Sequence, residues 1–225
     1  MRPDGLDAPG EYSSAADVTR LARLLMHDPA VRRTVRLRTA HIAGGRLLHT
    51  WNDLLGTFPG LIGVKTGHTS AAGWCEVAAV RRPGVSVYAT ILGSPSREQR
   101  NADLAALLRW GVSRYRVKSV IGQGRTYALA ETGYGRAPLD LVATSRARRA
   151  IRVDRPLEAR VVAASAVSLP VRAGQRLGTL RVFDGNRLLV ARPLVAARAV
   201  SRPSLAARVG FYAQRTAKHI WSWIT

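Results

Sequence analysis

Two ten-residue apolar runs, GWCEVAAVRR and VSVYATILGS, meet at Arg82-Pro83-Gly84. A Pro-Gly pair interrupts both helices and strands, so the runs are expected to be adjacent antiparallel strands joined by a tight turn. Just upstream, GVKTG supplies a third strand. Helical patterns flank this sheet. Ser14 stands three residues before Asp17, a weak variant of the capping box, and Val18, Leu21, Ala22, Leu24 and Leu25 follow at helical spacing, predicting a helix over 14–27. Asp28-Pro29 opens a second, short helix, since proline suits a first helical position. THIAGGRLLHT reads as a hairpin around Gly44-Gly45. Residues 96–112 return to helix, with Leu104, Leu107, Leu108 and Val112 on one face and Arg97, Arg100 and Arg109 among the polar positions. The order is helix, helix, three or more antiparallel strands, helix, an α+β arrangement.

After Tyr115 the texture changes. RTYALAE, LDLVATS, AIRVDR, LEARVVAA, LGTLRVF and RLLVARPLVA are short alternating segments bounded by glycine or proline, and they suggest a small β-sandwich. Residues 203–225 read as one amphipathic helix. Leu205, Val209, Tyr212, Ala213, Ile220, Trp223 and Ile224 share one sector, and Arg208, Arg215, Lys218 and His219 lie opposite. The domain expectation is 1–115, 116–200 and 201–225.

The net charge is +21, and three of the 35 basic residues are lysines. Residues 116–200 carry 16 basic against 5 acidic side chains, and 201–225 carry 4 and none. Such a field attracts polyanions or an anionic membrane surface. The single cysteine, Cys75, excludes a disulfide framework and a multi-cysteine metal site within the chain. It reads as a small buried apolar residue of its strand. No run of 18 apolar residues suggests a transmembrane helix, and MRPDGLDAPGEYSS lacks the apolar stretch of a signal peptide.

Lys65-Thr66-Gly67 is the motif that carries chemistry. A serine acyl-transfer site needs a base for the serine, donors for the oxyanion and a cation for the substrate carboxylate. In penicillin-recognising serine enzymes these come from S-x-x-K, S-x-N and K-T-G. K-T-G alone is weak, and its bland reading is a strand end and turn. Its surroundings are specific. NDLLGTFPGLIGVKTGHTSAAGWCEVAAVRR resembles the serine-type D-alanyl-D-alanine carboxypeptidases, the low-mass penicillin-binding proteins of bacterial cell-wall metabolism. RPDGLDAPGEYSSAADVTRLARLLMHDP, ILGSPSREQRNADLAALLRWG and LPVRAGQRLGTLRVFDGNRLLVARPLVA extend the likeness over essentially the whole chain.

The resemblance implies part of a penicillin-binding, β-lactamase-like transpeptidase domain, then a β-sandwich, then an amphipathic membrane-anchor helix. It implies removal of the terminal D-Ala of a peptidoglycan stem pentapeptide through a serine acyl-enzyme, with β-lactams as alternative ligands, at the extracytoplasmic face of the bacterial membrane. Lys65, Thr66 and Gly67 would be the third motif. His68 would offer its backbone N–H to the oxyanion, and Thr69 would line the same strand. Arg208, Arg215, Lys218, Trp221 and Trp223 would meet the membrane. Arg100 is open between recognising a carboxylate and capping a helix.

The first two motifs are absent from these residues. The positions three before Lys65, Lys118 and Lys218 are Ile62, Tyr115 and Arg215, and those two before Asn52, Asn101 and Asn186 are Thr50, Gln99 and Asp184. The chain therefore reads as the C-terminal portion of such an enzyme, with nucleophile, base and signal peptide encoded upstream, inactive by itself and with a helix face and cleft wall exposed. His68 has no second metal ligand at useful spacing, and no metal or cofactor is expected. Ser13, Ser14 and Ser70 read as turn or cap residues. The competing function is a non-catalytic membrane-surface or cell-wall interaction module. Nucleic acid is not expected as a partner, because no reading motif or aromatic-studded basic strand is present.

Overall fold

A computed structural model describes residues 5–224, in two units that divide after Arg116. In the first, the apolar runs form β4 and β5, preceded by α1 (Ala15–Leu25), α2 (Pro29–Thr34), β1 (Thr39–His41), β2 (Leu47–His49) and β3 (Leu61–Thr69). β4 spans Gly73–Arg82, β5 spans Val85–Ser94, and α3 (Arg97–Ser113) follows. Arg82 pairs with Val85, leaving a two-residue turn in which Gly84 takes φ 77°, a left-handed conformation that glycine adopts without a Cβ clash. The helix starts are capped by short polar side chains. Ser14 Oγ accepts from Asp17 N at 3.1 Å, as an N-cap does, and donates to Asp17 Oδ2 at 2.7 Å. Asp28 Oδ1 accepts from Ala30 N at 2.6 Å, and Ser96 Oγ from Gln99 N at 3.1 Å.

The sheet order is β3-β4-β5, all antiparallel. β4 is the centre strand and is covered on both faces, which is why CEVAAV is buried almost throughout. One face packs Val77 and Ala79 against Ala22 of α1 and Met26, the residue that caps its C-terminus. The other packs Ala78, Val80 and Ala89 against Leu104, Ala105 and Leu108 of α3, with Leu55, Phe58 and Leu61 closing the cluster. Each fully buried leucine of this layer contributes roughly 1.5–3 kcal/mol. Leu107, expected on the buried face of α3, is exposed. The buried set is instead Arg100, Leu104, Ala105 and Leu108, a helical stripe rotated off Leu107. α1 departs further from expectation, since Leu21, Leu24 and Leu25 are all exposed.

The second unit is β6 (Tyr115–Ile121), β7 (Thr126–Ala130), β8 (Leu139–Ala143), β9 (Ala147–Arg152), β10 (Leu157–Ala163), β11 (Arg176–Asp184), β12 (Arg187–Ala196) and α4 (Leu205–Ile224). Five strands form one antiparallel sheet in the order β10-β11-β12-β8-β7, and β6 and β9 form a two-stranded ribbon. Both contribute to one core, in which Leu139, Leu141, Leu180 and Leu194 meet Ile121 and Ala147. β6 was not expected. It follows α3 directly, and Arg116 and Lys118 interrupt its apolar residues, so neither a turn signal nor a clean alternation marks it. α4 begins after Pro203, with Ser204 Oγ accepting from Ala207 N at 3.2 Å. No helix among the described residues is long and apolar enough to cross a membrane.

Candidate active site

The K-T-G residues lie at the far half of β3, an edge strand. Upstream of them the β3–β4 register shifts between Leu61 and Val64. Gly63 sits in this irregularity at φ 128°, and a Cβ there would lie 2.7 Å from Val35 Cγ2. Backbone and packing both require glycine at 63. Beyond the bulge, Lys65, Thr66, Gly67 and His68 pair in register with Val77, Glu76, Cys75 and Trp74.

Lys65, Thr66 and Gly67 line one side of a largely apolar cleft of about 340 Å³, and Leu21 and Leu25 of α1 line the other, with Cys75 and Leu92 between them. Lys65 is exposed and its Nζ donates to the Thr66 carbonyl. Thr66 is half-buried. Gly67 differs from Gly63 in kind. Its φ is not positive, and a Cβ built on it would meet nothing within 4 Å. Cys75, expected to be buried, is half-buried because it faces this cleft, and its Sγ accepts from Gly93 N at 3.4 Å.

His68 and Thr69 are placed by local contacts. The His68 ring stacks on Trp74, centroids 4.2 Å apart, so its imidazole is occupied with an aromatic neighbour while its backbone stays in the strand. Thr69 Oγ1 donates to Asp7 Oδ1 at 2.8 Å and accepts from Ala72 N at 3.0 Å, which commits the hydroxyl to the β3–β4 turn.

On the α3 face, opposite α1, lies a charge network that the sequence did not reveal. Arg100 is neither a helix cap nor exposed to a cleft. It is fully buried, its Nε lies 3.1 Å from Glu76 Oε2, and its guanidinium sits 5.7 Å from the centre of the Trp74 ring. Its NH2 donates to Asn101 Oδ1 at 2.7 Å and lies 3.4 Å from Asp53 Oδ2. Burial pushes the Glu76 carboxyl up to about 7, against the opposing pull of Arg100 and with a further push from Asp53. Asp53 is held below the usual carboxylate range, chiefly by its hydrogen bond from Arg97, Nε to Oδ2 at 2.7 Å. A signal for this network did exist: Glu76 is the one acid in the two apolar runs joined at Arg82-Pro83-Gly84, and a buried carboxylate requires a cationic partner.

In the second unit, Arg208 lies 6.0 Å from the Tyr134 ring centre. Leu205, Val209 and Tyr212 at the start of the apolar stripe of α4 are largely exposed, and of the three Tyr212 makes an edge-on ring contact with Tyr134 of its own unit. Arg215, Lys218, Trp221 and Trp223 lie on α4, but their side chains fall outside the described residues.

An antiparallel sheet flanked by helices on both faces, with Lys-Thr-Gly on its edge strand beside a cleft, is the arrangement of the penicillin-binding, β-lactamase-like transpeptidase fold. Residues 1–96 match the D-alanyl-D-alanine carboxypeptidase family. It is 24% identical to the D-alanyl-D-alanine carboxypeptidase DacF of Bacillus subtilis (strain 168), over 86% of this chain and 52% of that protein. It is 27% identical to DacD of Escherichia coli (strain K12), over 92% of this chain and 55% of that protein. Penicillin-binding protein 5 from Haemophilus influenzae shares the fold, with a TM-score of 0.52 at 22% identity, covering 90% of this chain and 60% of that one. The chain thus spans about half the length of the curated relatives it matches.

Proposed function

We propose that these residues form the carboxylate-holding wall of a D-alanyl-D-alanine carboxypeptidase cleft, acting on the D-Ala-D-Ala end of a peptidoglycan stem peptide. The observation that carries this is Gly67. Neither its backbone angle nor any neighbour demands glycine, so the residue is explained by what approaches it from outside. A bare Cα lets a substrate peptide lie against the strand and bond to its backbone. Lys65 supplies positive charge beside that approach, and the Thr66 hydroxyl and the His68 N–H are the donors for carboxylate and oxyanion. β-Lactams, whose carboxylate and acyl group mimic the same peptide end, are the matching inhibitors.

Acyl-enzyme formation also requires a nucleophilic serine with its lysine base and the S-x-N residues, which must come from polypeptide other than these 225 residues. The expected result with a fluorescent penicillin is no covalent adduct on the 225-residue chain. Joining the chain to the serine-bearing half of the Bacillus subtilis relative should yield D-Ala release that Lys65→Ala removes. A covalent adduct on the chain by itself, or release indifferent to Lys65, refutes the assignment. The exposed Leu205, Val209 and Tyr212, on a helix with no acid, support a location at an anionic membrane surface with α4 lying in the interface. In this reading that surface is the extracytoplasmic one.

A further inference from the structure

At the foot of α4 the second unit holds a cleft of about 470 Å³, lined by residues that include Thr132, Tyr134, Ser168, Arg202, Pro203 and Arg208. Its size falls in the roughly 300–1,000 Å³ range of small-molecule sites, and the K-T-G chemistry makes no use of it. Arg202 Nε donates to the Leu169 carbonyl at 2.9 Å, which fixes the guanidinium on the wall while its terminal amino groups remain able to bind a ligand. Arg208 reaches the same cleft from the first turns of α4 and lies over the Tyr134 ring. Tyr134 itself adopts φ 55°, a left-handed conformation that a bulky residue seldom takes. Edge-on contacts hold it there, 5.8 Å to Phe211 and 6.1 Å to Tyr212. Strain of this kind persists where the surroundings over-determine a site. Arg136 ties the neighbouring segment to the helix approach, donating to Ser201 O at 2.8 Å. Among the described lining residues there are two guanidiniums and no carboxylate.

We propose that this cleft binds the phosphate of an anionic phospholipid headgroup. Paired guanidinium forks match the geometry of phosphate oxygens and form charge-assisted hydrogen bonds with them, and Ser168 adds a hydroxyl. The occupant is an amphiphile because the polar cleft opens beside the exposed Leu205, Val209 and Tyr212 of the same helix, so phosphate recognition and acyl-chain contact adjoin. The inference rests on the membrane-surface reading of α4 and adds headgroup selectivity to it. A basic helix face responds to surface charge of any kind, whereas a fork-lined cleft responds to phosphate.

The test titrates the full chain calorimetrically with dihexanoyl phosphatidylglycerol below its micelle concentration, with glycerol phosphate and inorganic phosphate in parallel. Co-sedimentation with phosphatidylcholine vesicles follows, their negative charge supplied at matched density by phosphatidylglycerol or by oleate. The expected result is saturable binding of the short-chain lipid, weaker binding of the two soluble phosphates, and preference for phosphatidylglycerol vesicles. Arg202→Gln and Arg208→Gln should each weaken the short-chain lipid about tenfold or more, and Arg202→Lys, which keeps charge but loses the fork, should fall between. The proposal is overturned if the short-chain lipid does not saturate, if both glutamine variants bind like the parent, or if inorganic phosphate binds as tightly as the lipid. Vesicle binding without headgroup preference and without saturable titration would overturn the cleft and leave the helix anchor standing. Saturable titration without vesicle binding would support the cleft and remove the anchor.

Discussion

Arg100 and Glu76 form a fully buried ion pair, Nε to Oε2 3.1 Å, and Glu76 is the cross-strand partner of Thr66. β4, the strand paired with the Lys65-Thr66-Gly67 edge, is thus fastened to α3 through a charge contact at the register position opposite Thr66.

Removing one member of such a pair leaves an uncompensated buried charge, which costs about 3–5 kcal/mol. Arg100→Leu should lower the urea-unfolding stability of the first unit by that order. Adding Glu76→Leu should recover much of the loss, because the isolated carboxylate is then gone. Equal loss in single and double variants would mean that packing around Trp74 and Asn101, and not charge, sets the cost.

The same carboxyl gives the unit a pH dependence. Glu76 is raised from the ordinary 4.5 to about 7 by burial. Between those values the folded chain holds a proton that the unfolded chain has released, so stability falls as pH rises from 4.5 to about 7 and levels off above. The fall is at most about 3–4 kcal/mol. Unfolding midpoints across pH 4.5–8 should show this decline in the parent and a flatter profile in Glu76→Gln.

Two glycines on one strand should behave oppositely. Gly67→Ala meets open space at an ordinary φ, so the melting temperature should hold or rise slightly, by up to about 1 kcal/mol in stability. Its cost should appear in peptide or β-lactam recognition once the serine-bearing half is supplied. Gly63→Ala drives a Cβ to 2.7 Å from Val35 in a left-handed backbone and should destabilise by roughly 2 kcal/mol or more. Melting curves of the two variants separate a functional glycine from a structural one.

Leu205→Asp with Val209→Asp should leave the unfolding transition unchanged, within about 0.5 kcal/mol per site, because both side chains are exposed. Vesicle co-sedimentation should drop more than tenfold, since each leucine-sized group transferred into the interface contributes about 1.5–3 kcal/mol. Unchanged sedimentation would move the helix from membrane to protein partner.

The β4–β5 hairpin, α1, α3 and α4 were legible because their signals are local: apolar period, a Pro-Gly turn, and cap residues three positions from their targets. The α+β class followed from that order of elements. What was not legible depended on distant partners. Arg100 looks like a polar helix position until Glu76, 24 residues earlier in the chain, is folded against it. Leu107 fell off the buried stripe because Arg100, by turning inward, rotated the face that α3 presents. The Lys65-Thr66-Gly67 edge could be named from the motif and its surroundings, but the reason for glycine at 67 needed coordinates, because sequence does not distinguish a glycine required by φ from one beside empty space.

The order β3-β4-β5 leaves both outer rims of the sheet without a hydrogen-bonding neighbour among the described residues. Unsatisfied rims recruit any extended segment within reach, including another copy of themselves. At high concentration the first unit is expected to cross-link into oligomers through its rims, and a polypeptide that completed the sheet would act as its solubiliser.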